Sequence, residues 1–271
     1  MPLSTAEKRA AFRALHQQGC FVIPNPWDVG SARMLQHKGF VALASTSSGY
    51  AWSTGRPDYA VTRDDVLEHL TALCAAVDLP INADFESGFA ADPEGLAGSA
   101  ELVIATGVAG FSIEDRVFEG SGLYDTAMAV ERIRAARAAI DRSGQDVMLV
   151  ARTEGLLIDP EQVSAAIDKL VAFAAAGADC LYAPGVRKPA DIATMVRAVA
   201  PLPVNVLVMQ PEVRLAEYAD LGVRRISIGG ALARVGWSAT LAAAEQMKTG
   251  SFAGLASGAR GDQLNDMFGS F

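Results

Sequence analysis

Two carboxylates one residue apart, Asp84 and Glu86, follow an apolar run in the segment Leu79-Pro80-Ile81-Asn82-Ala83-Asp84-Phe85-Glu86-Ser87-Gly88-Phe89. Read as a buried strand over 79–83 whose acids emerge from the core, the segment points both side chains the same way, because strand side chains alternate. Like charges held there repel unless a cation lies between them, so a divalent metal is the first chemistry to consider. The plain alternative is a turn whose acids face water and cap the next helix. Other positions carry compatible chemistry. Glu114 stands in Ser112-Ile113-Glu114-Asp115, Arg152 in Ala151-Arg152-Thr153-Glu154, and a hydroxyl run in Thr46-Ser47-Ser48-Gly49. Asp84, Glu86 and Glu114 form an oxygen-only donor set. His16, His37 and His69 all fall in predicted helices, and Cys20, Cys74 and Cys180 have no metal-like spacing. Zinc and iron recruit His or Cys, whereas carboxylates completed by water and ligand oxygens suit Mg2+ or Mn2+. Arg152 leaves a buried strand and needs an anion there. A substrate carboxylate bound in bidentate fashion would serve, and so would an internal pair with Glu114 or Glu154. The hydroxyl run offers O–H and N–H groups to a carboxylate or phosphate, or is simply a turn.

These residues gain meaning from the elements that would position them. Short apolar runs at 20–23, 40–44, 79–83, 109–113, 147–151, 179–182, 204–208 and 224–228 read as eight strands. Helical patterns at 5–17, 30–37, 62–77, 93–105, 125–142, 160–176, 189–198 and 211–220 alternate with them, and 237–248 gives one more. Several joints repeat a helix-ending glycine followed by a strand: Gly39-Phe40, Gly107-Val108, Gly177-Ala178 and Gly222-Val223. Continuous rather than alternating apolar strands fit a parallel sheet covered on both faces. Eight such units in 271 residues predict one (β/α)8 TIM-type barrel over 1–271, with 237–271 as a C-terminal helical extension. An open doubly wound sheet is the competing architecture, but no G-x-G-x-x-G follows the first strand. Barrels of this kind work from the C-terminal ends of their strands. Those ends hold Asn25, Ser45, Asp84, Glu114, Arg152 and Tyr182, with Asn205 on the seventh strand and Arg234 beyond the eighth.

Composition narrows the class. Half of the residues are hydrophobic, enough for a sizeable core. The net charge of −8 and the lack of a basic block argue against nucleic acid. No apolar run approaches the roughly 18 residues of a membrane span, and the polar N-terminus does not read as a signal peptide. Three scattered cysteines suit a reducing compartment, so a cytoplasmic protein is expected.

The ordered motifs Asn25-Pro26-Trp27-Asp28, Thr46-Ser47-Ser48, Gly55-Arg56-Pro57-Asp58, Asn82-Ala83-Asp84-Phe85-Glu86-Ser87-Gly88-Phe89, Ser112-Ile113-Glu114-Asp115 and Ala151-Arg152-Thr153-Glu154 resemble the isocitrate lyase/phosphoenolpyruvate mutase superfamily. The resemblance spans about residues 20–235. It implies a (β/α)8 barrel whose last helix is exchanged with a neighbouring subunit, in a homotetramer built from dimers or a homodimer. It implies Mg2+ holding a 2-oxo acid or its enolate. Carried over by position, Asp84 resembles the direct metal ligand, and Glu86 and Glu114 resemble ligands acting through water. Thr46, Ser47 and Ser48 resemble the turn that binds the substrate carboxylate, with Arg152 its partner. Asp58 lies where family members keep an aspartate near the reacting group, and Asn205 and Arg234 match positions that bind the distal part of larger tricarboxylate substrates.

The loop after Glu114 departs from the pattern. Superfamily members that cleave isocitrate or methylisocitrate carry Lys-Lys-Cys-Gly there, with the Cys as an acid; this chain reads Arg116-Val117-Phe118-Glu119-Gly120-Ser121-Gly122-Leu123-Tyr124-Asp125, which argues against those two activities. The Lys and the Asn or Thr of phosphonopyruvate chemistry are missing from it as well. Tyr124 and Arg116 are its only candidates for acid or anion-binding roles. The resemblance therefore implies a carbon–carbon lyase or decarboxylase acting on a small 2-oxo or 2-hydroxy dicarboxylate. A phosphoenolpyruvate mutase or phosphonopyruvate hydrolase, and a 2-oxo acid binding protein with little turnover, stand as alternatives.

Overall fold

The computed structural model describes residues 2–210, 212–269 and 271. Eight strands alternate with helices in chain order. The strands are β1 (Phe21–Ile23), β2 (Leu43–Ala44), β3 (Ile81–Asp84), β4 (Gly110–Glu114), β5 (Met148–Arg152), β6 (Cys180–Tyr182), β7 (Val204–Leu207) and β8 (Arg225–Ser227). The helices before β4 are α1 (Thr5–Leu15), α2 (Val29–His37), α3 (Ser47–Ser53), α4 (Arg63–Ala76) and α5 (Pro93–Ala105). Those after it are α6 (Thr126–Ser143), α7 (Gly155–Ile158), α8 (Val163–Ala175), α9 (Pro189–Val199), α10 (Leu215–Asp220), α11 (Ala231–Lys248) and α12 (Gly261–Phe268).

All the strand pairings are parallel, in the order β1-β8-β7-β6-β5-β4-β3-β2. The two edge strands approach each other across the seam. The Ala44 N–H donates to the Pro24 carbonyl at 3.0 Å, and the Asn25 side-chain amide to the Ser45 carbonyl at 2.9 Å. The result is the nearly closed (β/α)8 barrel that the alternating pattern predicts.

Local chemistry fixes the helix starts. Ser4, Asp28 and Thr62 form capping boxes with Glu7, Ser31 and Asp65, while Asp92 caps α5 ahead of Pro93. Helix α1 closes the N-terminal end of the barrel. Its Phe12 is fully buried against Ile23, Ala42, Ala109 and Met148, and Arg9 donates to the carbonyls of Val108 and Ile104, each at 2.9 Å. The main core lies between sheet and helices, where Leu70, Leu73, Leu96, Phe111, Leu170 and Phe173 are buried. The barrel interior is different: Asn82, Ser112, Asn205, Arg225 and Ser227 are all buried there, where branched aliphatic residues usually dominate.

Four readings of the sequence change. The hydroxyl run is no simple turn: Thr46 caps α3, its Oγ1 accepting from the Gly49 N–H at 3.3 Å. Strand β3 stops at Asp84, and Glu86 lies in a turn with φ +48°, so period-two alternation does not relate the two acids. Helix α11 starts at Ala231, six residues before the expected 237, because Gly236 is tolerated inside it, with open space where its Cβ would be. The helix expected at 211–220 begins at Leu215, and Pro211 lies outside the described residues.

Candidate active site

The register places the chemistry on adjoining strands at the C-terminal end of the barrel. Glu114 of β4 is level with Arg152 of β5, and Arg152 is level with Tyr182 of β6. The Asp84 backbone N–H donates to Ser45 Oγ at 2.8 Å, fixing the end of β3 beside β2. Arg152 lies among three acids: Nη1 is 3.1 Å from Asp84 Oδ1, and Nε is 2.5 Å from Glu154 Oε1 and 3.5 Å from Glu114 Oε2. The other Asp84 oxygen accepts from the Ser47 N–H at 3.0 Å and from Ser47 Oγ at 2.8 Å. The first turn of α3 therefore grips Asp84 in this state.

Glu86 reaches the cluster by a different route. Its left-handed backbone turns the chain, and its carbonyl accepts from the Glu114 N–H at 3.0 Å. A non-glycine residue in that region is uncommon and costs free energy. Neighbours hold it there. Phe85 is buried against Phe89 and Phe111, and Gly88 (φ +79°) has Leu96 Cδ1 where a Cβ would stand. Arg132 of α6 donates to the carbonyls of Ser87 and Ala91. A second support lies under β4 and β5. Asp115 accepts from Thr153 Oγ1 at 2.7 Å, the Glu154 N–H at 2.8 Å and Lys169 Nζ at 2.7 Å. Asp115 thus positions Glu154, which in turn holds Arg152.

The electrostatics are those of crowded, buried acids. Burial, then the charges of Asp84 and Glu114, push Glu86 up to about 8. Burial raises Glu114 too, against the pull of Arg152. Burial alone would lower Arg152, but Glu154, Glu114 and Asp84 hold its guanidinium well above its ordinary value. Asp58 is raised by partial burial and by the charge of Asp84. Buried oxygens Glu86 Oε1 and Glu114 Oε1 have no hydrogen-bond partner. Oxygen donors left unpartnered beside further carboxylates fit a hard divalent cation. The three acids of the sequence reading are nonetheless not gathered as a ligand set in this state. Among the described residues no three His, Cys, Asp or Glu side chains come together closely enough to hold a metal ion. Arg152 lies among them, and Glu86 opens toward a different cavity from Asp84.

One cavity, about 160 Å³, is lined by Thr46, Ser47, Ser48, Asp58, Asp84, Arg152 and Asn205, and so joins most of the residues singled out from the sequence. Besides Glu86, three others lie elsewhere. Glu114 is buried and does not line it. Arg234 is exposed on α11. Tyr124 donates its hydroxyl to the Ala91 carbonyl at 3.0 Å, with the Arg132 guanidinium 4.5 Å from its ring centre. The loop over 116–124 is a tight hairpin, with Arg116 bridged to Leu123. Asn205 Nδ2 donates to Ser227 Oγ at 3.0 Å.

Tyr59 and Arg225 are among the lining residues not singled out from sequence. Tyr59 has φ +62° and borders both this cavity and the one beside Glu86, with Arg116 stacked 4.1 Å from its ring centre. Its position after Asp58 was the available signal. Arg225 faces inward from β8, half of an Arg224-Arg225 pair in which strand alternation sends one side chain in and one out.

A (β/α)8 barrel with carboxylates and a guanidinium at its C-terminal mouth is the frame of an enzyme. Residues 12–248 match the family model described as phosphoenolpyruvate phosphomutase. A solved crystal structure from Burkholderia cenocepacia J2315 is 43% identical, with a TM-score of 0.93 over 98% of this chain and 97% of that one. The structure of a 2,3-dimethylmalate lyase is 29% identical, with a TM-score of 0.84 over 99% of this chain and 95% of that one. An oxaloacetate decarboxylase of Chromohalobacter salexigens is 30% identical over 84% of this chain and 81% of its own length. The chain belongs to the phosphoenolpyruvate phosphomutase family, within the isocitrate lyase/phosphoenolpyruvate mutase superfamily. It is an enzyme of the carbon–carbon lyase type that the superfamily contains.

Proposed function

We propose that this chain is a Mg2+-dependent (or Mn2+-dependent) lyase or decarboxylase acting on a small 2-oxo or 2-hydroxy dicarboxylate through an enolate of pyruvate type. The observation that carries the reading is the surplus of buried carboxylate at the mouth. Asp84, Glu114 and Glu154 share one guanidinium, Glu86 has no ion pair with it, and one oxygen each of Glu86 and Glu114 has no partner. Asp84, Glu86 and Glu114 would hold the cation once Arg152 releases its acids. When bound, the metal supplies stabilisation for negative charge developing on the substrate carboxylate and keto oxygen.

The chain's own groups do the rest. Ser47, with Thr46 and Ser48, offers N–H and O–H donors to the substrate carboxylate after Asp84 lets go, and Arg152 orients that carboxylate. Asp58, raised at the cavity wall, holds or releases a proton at its carboxyl. The named activities of the oxaloacetate decarboxylase and the 2,3-dimethylmalate lyase support carbon–carbon cleavage. The hairpin over 116–124 carries no Lys or Asn to hold a phosphoryl group, which weighs against P–C chemistry. Helix α11 buries only Ala233 and exposes Val235, Trp237 and Leu241, which supports exchange of this helix in a homodimer or homotetramer.

Proton NMR of the protein with Mg2+ and a panel of oxaloacetate and 2-alkylmalates tests the reading. Formation of a 2-oxo acid faster than with Asp84→Ala is expected. Turnover of phosphonopyruvate alone, followed by phosphorus NMR, would overturn it.

A further inference from the structure

The interior of the barrel carries a second guanidinium with opposite surroundings to the first. Arg152 touches three carboxylates. Arg225 is 2% exposed, and among the described residues no ion pair includes it. Its hydrogen bonds run to two neutral amides: Nε to Asn205 Oδ1 at 2.9 Å and Nη1 to Asn82 Oδ1 at 3.2 Å. Both amides are oriented for this. Asn205 gives its Nδ2 to Ser227 Oγ, and Asn82 gives its own to the Ala83 carbonyl at 3.1 Å, so each turns its oxygen toward the guanidinium.

A guanidinium stays charged at any physiological pH, and a buried charge is normally paired because desolvation is costly. Two amide oxygens satisfy hydrogen bonds but supply no counter-charge. Arg225 also replaces the aliphatic filling expected of a barrel interior. It lines the same cavity as Asp84, Ser47 and Arg152, so one small molecule can meet both ends.

We propose that Arg225, held by Asn82 and Asn205, is an anion-binding floor of the active-site cavity that takes the second carboxylate of a dicarboxylate substrate. The inference rests on the reading of the site as a 2-oxo or 2-hydroxy acid enzyme, and it gives that substrate an orientation. The end that reacts lies at the acidic mouth, and the distal carboxylate points down the barrel. A bidentate arginine–carboxylate contact suits a planar anion better than a lysine would.

Calorimetry in the presence of Mg2+ tests it with three probes. Oxalate fills the mouth alone, 2-hydroxybutyrate adds a neutral tail, and malate or 2-hydroxyglutarate adds the distal carboxylate. The native protein is expected to bind a dicarboxylate about tenfold or more tighter than 2-hydroxybutyrate, as a charge-assisted pair would give. Arg225→Met is expected to erase that margin while oxalate still binds, and its oxalate binding doubles as the check that it folds. Should it not fold, Asn82→Asp supplies an internal counter-charge at nearly constant shape and is expected to erase the margin too. A margin that persists in a folded Arg225→Met or Asn82→Asp protein overturns the inference and leaves the proposed function standing. Absence of oxalate binding in the native protein overturns the proposed function, and the inference with it.

Discussion

Asp84 has both oxygens engaged: one lies 3.1 Å from the Arg152 guanidinium, and the other takes the N–H and Oγ of Ser47. The pair joins β3 to β5 across the mouth, and among the described residues Arg152 is the one cation paired with Asp84, Glu114 and Glu154. Removing it leaves buried carboxylates without compensation. Arg152→Met is expected to abolish turnover and to lower stability by about 3–5 kcal/mol, read from urea unfolding. An unchanged midpoint would show that protons, not the guanidinium, neutralise the cluster.

Asp115 acts one layer below. Its contacts to Thr153, the Glu154 backbone and Lys169 are all 2.7–2.8 Å long, and the Lys169 side chain is only 11% exposed. Asp115→Asn leaves that ammonium buried and unpaired, with an expected loss of about 3–5 kcal/mol. Adding Lys169→Met is expected to restore a measurable part of it. Strictly additive losses in the double-mutant cycle would show that the two side chains are not coupled.

Two histidines outside the site set a pH dependence of stability. Burial holds His69 down to about 4 and His16 down to about 3, from an ordinary value of 6.5. The unfolded chain therefore takes up these protons first. The stability contributed by keeping each ring neutral is fully present above pH 6.5 and drains away as pH falls from there toward 4 for His69 and toward 3 for His16. His69 stacks on Tyr50 with ring centres 4.0 Å apart, so His69→Phe keeps the packing. Between pH 6 and pH 4.5 the variant is expected to show a shallower loss of stability, by up to about 1.4 kcal/mol per pH unit. Identical slopes in urea titrations would contradict the assignment.

Much of this was legible in the sequence, and the reasons are local. Helix-ending glycines such as Gly39 and Gly177, followed at once by apolar runs, mark the βα joints, and the helix expected at 93–105 has those same bounds. The polar ends of three apolar runs pointed to one mouth of the barrel, and Asp84, Glu114 and Arg152 are the last residues of their strands. What escaped depended on backbone state and depth. The left-handed turns at Glu86 and Tyr59 have no glycine to announce them. A seven-residue helix hides in Ser47–Ser53 because hydroxyl residues favour turns as well as caps. Arg225 was not singled out at all, since inward and outward strand positions differ only by register.

Helix α11 bears on assembly. Val235 and Leu241 are 65% and 66% exposed, and Phe252 beyond the helix is 68% exposed. Apolar exposure of this kind marks an interaction surface. The native protein is expected to sediment as a dimer or tetramer, and Leu241→Glu to shift the mass downward. A monomeric native protein would contradict the exchange of this helix.

The central reading is that the crowded acids at the mouth hold a divalent cation that binds the substrate. Calorimetry with oxalate addresses it most directly, run with Mg2+ and again with chelator, on the native protein and on Asp84→Ala. Binding is expected in the native protein with Mg2+ alone, and in neither condition for Asp84→Ala. Oxalate binding of equal strength in chelator, or intact Mg2+-dependent binding in Asp84→Ala, would contradict it.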